Sequence, residues 1–476
     1  MKAPLALIAL VIAGWRLGSA PARPCLINVL NVDRYGTTTP MFGNNSSWDA
    51  AGNVRLQCKK QQVFINTDSI SVLSGDYVHL FGHAIYRDTA YRITADTMIY
   101  IVRTELLQAR GHVHAFDKTS GSTMVGPYVD YYRQVKGIND SARVVALEHP
   151  TVRYFTSSIP LDTVHQRPYV LTGKTLRGFG QSQLYANEDV TIDRDSLHGD
   201  GDSLTFLRGA ASVAYLFGKP ARLRRLGADS LLVLGHKIRV DLAKDRIQQL
   251  LAYDSARVER RGSDVRGDTV RLEFALDKLV LTQSWSRTGL ASLRSVGYDI
   301  RGDSLAVDTP AEQLREIRVY RQGIIQSPPD SSHQVHSAGD SIPVHPAAIR
   351  TATTKADSTA AAPPRNSLWG DRMTATFAQV DSAGVALTRL TGLRSVGKAS
   401  SLFTRWGLKN GQQTQSVNYT RADTITIVMR SDGDSIGVQL VNARGHVNGV
   451  QVDSNEAAFV RKTKSDSTAQ PAGTKP

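Results

Sequence analysis

The chain has 476 residues, 41% of them hydrophobic and 21% charged. That length and balance support two or three packed domains and exclude both a chain disordered throughout and a bundle of membrane helices. The formal net charge is +14, which calls for an acidic partner unless it serves solubility alone.

The N-terminus reads as an export signal. Lys2 supplies a positive start, and Leu5 to Trp15 is apolar but too short to span a bilayer as a helix. Ala20-Pro21-Ala22 places small residues where a signal peptidase reads, so residues 1–22 are expected to be removed and residues 23–47 to form a leader. An uncleaved anchor is the alternative. Ala22-Arg23-Pro24 ahead of Cys25 is a poor lipobox. Cys25 and Cys58 are the only two cysteines; an oxidising compartment allows one disulfide between them, and a floppy leader around Cys25 argues against it. No later segment reaches 18 apolar residues in a row. Export turns the basic charge toward anionic lipid, phosphorylated sugar or acidic glycan and away from nucleic acid.

From residue 48 onward two short phrases alternate. One is a small residue, Asp, most often Ser or Thr, and an aliphatic residue: Thr67-Asp68-Ser69-Ile70, Ala95-Asp96-Thr97-Met98, Gly201-Asp202-Ser203-Leu204, Gly267-Asp268-Thr269-Val270, Gly302-Asp303-Ser304-Leu305 and Ala422-Asp423-Thr424-Ile425. The other is Gly, any residue, then Val or Ala: Gly52-Asn53-Val54, Gly82-His83-Ala84, Gly111-His112-Val113, Gly397-Lys398-Ala399 and Gly445-His446-Val447. A period near 30 residues marks a repeat architecture. Around each phrase apolar and polar residues alternate, as in Tyr91, Ile93 and Ala95 against Arg92, Thr94 and Asp96. Period-two patterning predicts strands with one buried face, so the fold is expected to be all-β. Leu242 to Leu251 is the best helical stretch, but Lys244-Asp245-Arg246 reads equally well as a turn between strands. Gly opening a strand allows a bulge. Asp is poor strand stock, so a recurrent one implies a fixed local job: a hydrogen bond to neighbouring backbone at a bend, or calcium binding or catalysis. The spread of these Asp residues along a repeat, without convergent partners, favours the first.

The ordered phrases Gly52-Asn53-Val54-Arg55-Leu56, Ile65 to Ile70, Tyr91 to Tyr100 and Leu107-Gln108-Ala109-Arg110-Gly111-His112-Val113 resemble the OstA-like family, and Tyr419 to Val428 with Val441 to Val447 repeats the order. That family holds the periplasmic lipopolysaccharide bridge protein, the periplasmic part of its inner-membrane partner, and the N-terminal domain of the outer-membrane translocon. The resemblance implies an elongated antiparallel β-jellyroll, two folded sheets with a greasy groove between them. Val54, Leu56, Ile65, Val78, Leu80, Tyr91, Ile93, Ile99, Val113, Ile425 and Ile427 would line it. It further implies lipopolysaccharide or a related anionic lipid as cargo, no cofactor and no catalysis. The setting would be periplasmic, at either membrane, with other jellyroll proteins joined by strand-edge pairing. The chain is longer than a family bridge protein, and its C-terminal residues do not read as the translocon's membrane barrel. Two to three consecutive modules are therefore expected: 48–160, 175–323 and a smaller segment at 367–452, with a linker at 324–366 rich in Pro, Ser, Ala, Thr and His and a polar tail at 453–476. One continuous jellyroll would give the same repeats.

Other motifs are weaker. Gly173-Lys174-Thr175 ends like a phosphate loop, but Pro168 stands where the first Gly is required. Arg266-Gly267-Asp268 and Arg301-Gly302-Asp303 coincide with the repeat. His79, His83, His112 and His114 lack an evident third ligand for a metal. The competing reading of the whole chain is a structural β-repeat of the envelope without lipid cargo.

Overall fold

The computed structural model describes residues 27–37, 47–58, 62–155, 167–180, 182–209, 211–227, 230–243, 246–260, 262–295, 297–327, 365–382, 385–409, 412–432 and 435–453. The expected signal peptide, Cys25, the bulk of the expected linker and the tail lie outside them. The chain divides into two compact units, residues 1–168 with 172–184, and residues 169–171 with 185–476. Among the described residues, apart from one 3-10 turn at Pro310–Glu312, every regular element is a strand, in keeping with the expected all-β class. No helix among the described residues is long and apolar enough to cross a membrane.

The strands run β1 (Asn28–Asn31), β2 (Arg34–Thr37), β3 (Trp48–Cys58), β4 (Val63–Leu73), β5 (Tyr77–Arg87), β6 (Tyr91–Ile101), β7 (Leu106–Asp117), β8 (Thr123–Tyr132), β9 (Arg143–Leu147), β10 (Thr151–Tyr154), β11 (Tyr169–Thr172) and β12 (Thr175–Phe179). From β3 to β9 each pairs antiparallel with the next. β1 and β2 both pair with β3, and β9 and β10 both pair with β8, so each couple is one strand broken in the middle. The ladder thus starts at Asn28, inside the stretch expected to be a leader.

The remaining strands are β13 (Gln183–Arg194), β14 (Leu197–Leu207), β15 (Ser212–Arg225), β16 (Leu231–Ala243), β17 (Arg246–Arg260), β18 (Ser263–Ala275), β19 (Lys278–Trp285), β20 (Ala291–Ser295), β21 (Tyr298–Gly302), β22 (Ser304–Asp308), β23 (Glu316–Ser327), β24 (Asn366–Ser382), β25 (Val385–Lys409), β26 (Gln412–Asp432), β27 (Ser435–Arg444) and β28 (Asn448–Asp453). The Leu242 to Leu251 stretch is strand at both ends rather than helix. β23 pairs directly with β24, from Glu316 opposite Thr376 to Ser327 opposite Asn366. Residues 367–452 therefore continue the second unit instead of forming a module of their own, and 324–327 end a strand. A polar stretch between two hairpin-paired strands has the composition of an interdomain linker, which is why sequence alone separates them.

The two phrases meet at mid-strand. Gly82 and His83 sit at the centre of β5, not at its start, and the pairing with β6 resumes beyond them: Phe81 opposes Thr97, then Ala84 opposes Ala95. Both residues have positive φ, +75° and +41°. Two left-handed residues on one strand against one Asp on the next form a bulge that bends the strand. Gly is required at the first of them, because a Cβ on Gly82 would overlap the Asp68 carboxylate. The burial pattern follows the bend. On β6 the buried residues are Ile93 and Ala95, then Met98 and Tyr100, a parity switch at Asp96-Thr97 that keeps one face inside on both halves.

Candidate binding interior

The inner face of unit 1 is built of rows that run across strands, because residues directly opposed in an antiparallel ladder point to the same side. One row is Leu56, Ile65, Tyr86, Ile93, Ala115. On the other side of the bend run Val72, Val78, Tyr100, Leu107, Tyr131, Val144, and Ile70, Leu80, Met98, Ala109, Val129, Ala146. Of the expected lining, Val54, Leu56, Ile65, Val78, Leu80, Ile93 and Val113 are at most 1% exposed and belong to this interior. Tyr91 lies on the same face and is partly exposed. Ile99 does not belong: it opposes His79 and Gln108 on the outer face, between buried Met98 and Tyr100. The bend at Asp96 reverses the parity, and simple alternation from Ile93 misassigns everything beyond it. Ile425 and Ile427 are fully buried in the second unit, on β26 against Ser395 and Leu393 of β25.

The bend folds the ladder onto itself. Tyr86 opposes Ile93 and Tyr100 opposes Val78, seven residues apart along β6, about 23 Å in a straight strand. Their ring centroids are nevertheless 6.1 Å apart. Tyr131, in the Tyr100 row, is 5.9 Å from Tyr86 and 4.9 Å from Tyr91. The two halves of each strand therefore pack face to face, with Tyr rings from both halves between them.

A polar clasp completes the closure. Asp88, in the β5–β6 turn and 4% exposed, receives the hydroxyls of Tyr131 (2.7 Å) and Tyr86 (3.1 Å) on one oxygen and the backbone N–H groups of Ala90 (2.8 Å) and Tyr91 (2.6 Å) on the other. Lys118 Nζ donates to the Asp88 carbonyl. Glu105, fully buried in the β6–β7 turn, accepts from the Tyr100 hydroxyl and from Arg133 Nη2 (2.9 Å) and Nε (3.2 Å) on Oε2. Burial, reinforced by these carboxylates, pushes the Tyr86, Tyr100 and Tyr131 hydroxyls far above their ordinary value, which keeps them neutral donors; burial raises Tyr91 likewise. None of these clasp roles is visible in sequence. Asp88, Glu105 and Arg133 sit in polar turns, where a charged residue is unremarkable, and only the fold-over brings them beneath the tyrosines.

The repeated Asp residues have a different job. Asp68, Asp96 and Asp423 face the following Gly-His pair, and His83 Nδ1 lies 2.8 Å, His112 Nδ1 2.8 Å and His446 Nδ1 2.9 Å from them. Asn53 Nδ2 donates to Asp33 at 3.0 Å in the same way. Asp268 accepts the backbone N–H of Arg287 at 2.5 Å and of Thr288 at 3.3 Å, which holds its carboxyl below the usual range. The Asp thus sits at a bend, as expected, but Asp68, Asp96 and Asp423 bond a side chain there, while Asp268 bonds backbone. In unit 1 the residues form an exposed row along the bend, Asp33, Asn53, Asp68, His83, Asp96, His112, on consecutive strands. Among the described residues no group of three or more His, Cys, Asp or Glu is placed to hold a metal ion. Cys58 is disulfide-bonded.

Other bends carry no glycine at the left-handed pair. Glu188-Asp189, Asp254-Ser255 and Arg321-Gln322 all have φ between +48° and +60°. They repeat the bulge at strands β13, β17 and β23, and nothing in the Gly-x-Val phrase finds them. Neither a scan against protein-family models nor a search of curated proteins returned a match for the chain.

Proposed function

We propose that the chain is a periplasmic lipid-binding protein that shields the acyl chains of lipopolysaccharide, or of a related anionic lipid, on its way to the outer membrane. The observation that supports this reading is the set of unbroken apolar rows between the two halves of bent strands. Burial there favours an acyl chain by roughly 25 cal/mol per Å2 of its surface. The rows are closed, with Val54, Leu80 and Ile93 fully buried, so cargo enters by parting the halves, and the Tyr–Asp–Glu–Arg clasp is what gives way. The last strand supports the bridging part of the proposal. β27 and β28 pair with β26, and Leu440 on β27 and Val450 on β28 are 55% and 59% exposed. An apolar outer strand offers an edge to a further jellyroll.

The complete burial of Val54, Leu80 and Ile93 equally suits a structural β-repeat with a filled interior. Photocrosslinking decides between them. A photoreactive residue at Leu80 or Ile93, activated in cells, should yield lipid adducts, whereas one at Ile99 on the outer face should not. Adducts at neither inner position would leave the structural repeat as the reading.

A further inference from the structure

A cavity of about 470 Å3 lies on the outer face of unit 2, where β20, β21, β23 and the start of β24 meet. Arg294 opposes Asp299, which opposes Gln326. Their neighbours Leu293, Ile300 and Ile325 are buried, so this row points outward. Asp299 is the organising group. Arg301 forks onto it, Nη2 to Oδ2 at 2.7 Å and Nε to Oδ1 at 3.1 Å, and Arg294 Nε lies 3.7 Å from Oδ2. Arg365 also lines the cavity. Three guanidinium groups and one carboxylate thus line an open cavity, with a local surplus of two positive charges. Tyr298 and Gln326 also line it.

We propose that this cavity is a binding site for a phosphate monoester. A phosphoryl group carries about −1.5 to −2 charge at neutral pH and three acceptor oxygens, which matches the surplus and the number of guanidinium groups; a carboxylate would leave one charge unanswered. Arginine rather than lysine suits the purpose, because its planar fork bonds two oxygens at once. Asp299 positions Arg301 and keeps the surplus from drifting into solvent. The site lies outside the apolar interior and rests on the proposed cargo only for what carries the phosphate.

Calorimetric titration of the full chain with inorganic phosphate at low salt tests it. The wild type should bind saturably, Arg294→Gln with Arg365→Gln should bind about tenfold more weakly or worse, and Arg55→Gln with Arg92→Gln, which removes the same charge elsewhere, should stay within about twofold. No saturable binding by the wild type, or equal loss in the two double variants, overturns the site. Co-sedimentation with phosphatidylcholine vesicles doped with phosphatidic acid separates the sources. Loss of sedimentation in the first variant alone assigns the phosphate to a lipid headgroup, and no sedimentation despite phosphate binding assigns it to a soluble ester. Failure to crosslink lipid at Leu80 or Ile93 would leave this result untouched.

Discussion

The two units bend their strands in the same place and hold the bend by opposite means. In unit 1 the charges that matter are inside: Asp88, Glu105 and Arg133 hold three tyrosine hydroxyls between the two halves. In unit 2 the ion pairs lie along the outer face, as with Arg239 and Asp241 (2.8 Å), Arg257 and Asp264 (3.0 Å) and Arg318 and Asp308 (2.7 Å), all partly exposed. The bend itself is made in two ways. Gly comes first in the left-handed pairs of β3, β5 and β7 in unit 1 and again at Gly397-Lys398 and Gly445-His446 in unit 2, while β13, β17 and β23 use Glu-Asp, Asp-Ser and Arg-Gln. The backbone conformation belongs to the architecture, and the side chains are alternative ways of meeting its cost.

The largest effect should come from the clasp. Arg133→Met leaves Glu105 charged, buried and short of donors, which is expected to cost unit 1 about 3–5 kcal/mol. Arg318→Met removes an ion pair of similar length from the surface of unit 2 and should cost about 1 kcal/mol or less. Hydrogen exchange along a urea series reports each unit separately, which a single transition midpoint cannot do for a chain of two units. Equal costs would remove the distinction between an inside clasp and an outside one.

Next comes the glycine. Gly82→Ala forces a Cβ into the Asp68 carboxylate at a left-handed position, and about 2–3 kcal/mol should be lost, from the conformation and the displaced Asp together. Asp254→Gly relieves the same conformation in β17 but frees the unfolded chain, and the two terms should cancel to within about 0.5 kcal/mol. Urea unfolding of both variants checks this. A Gly82→Ala chain as stable as the wild type would mean that the Gly-Asp contact is incidental.

These contrasts explain what could be read before the structure. Strand class and the inward face came from alternation, and alternation works as long as the strand is straight. Ile93 and Ala95 follow it inward. Ile99 does not, because its strand turns a corner at Asp96. The recurrent phrases announced the corners in unit 1 and at Gly397 and Gly445, since Gly is the residue the first left-handed position tolerates best. Arg321-Gln322 takes up the same angles with no compositional trace. The arginine cavity assembles from four strands across a polar stretch that read as a domain boundary, so Arg294, Asp299 and Arg365 had no reason to be grouped.

The finest test is of the exposed Asp–His pairs, because the same motif occurs within the row of unit 1 and again at Asp423 and His446 in unit 2. The Asp68 carboxylate, by hydrogen bond and charge, raises His83 above its ordinary value of 6.5, and Asp96 on the next strand adds to it. Asp423 raises His446 in the same way, with no second carboxylate beyond it. In both cases the folded value exceeds the unfolded one. The pair therefore supports the fold fully below pH 6.5 and loses that support as pH rises through the raised folded value. Titrating the imidazole resonances by NMR should show both histidines elevated in the wild type. Asp423→Asn should return His446 to its ordinary value, whereas Asp68→Asn should leave His83 part of its elevation, held by Asp96. Complete reversion of His83 would mean that the bend residues act as isolated pairs and that the row along unit 1 has no electrostatic continuity from strand to strand.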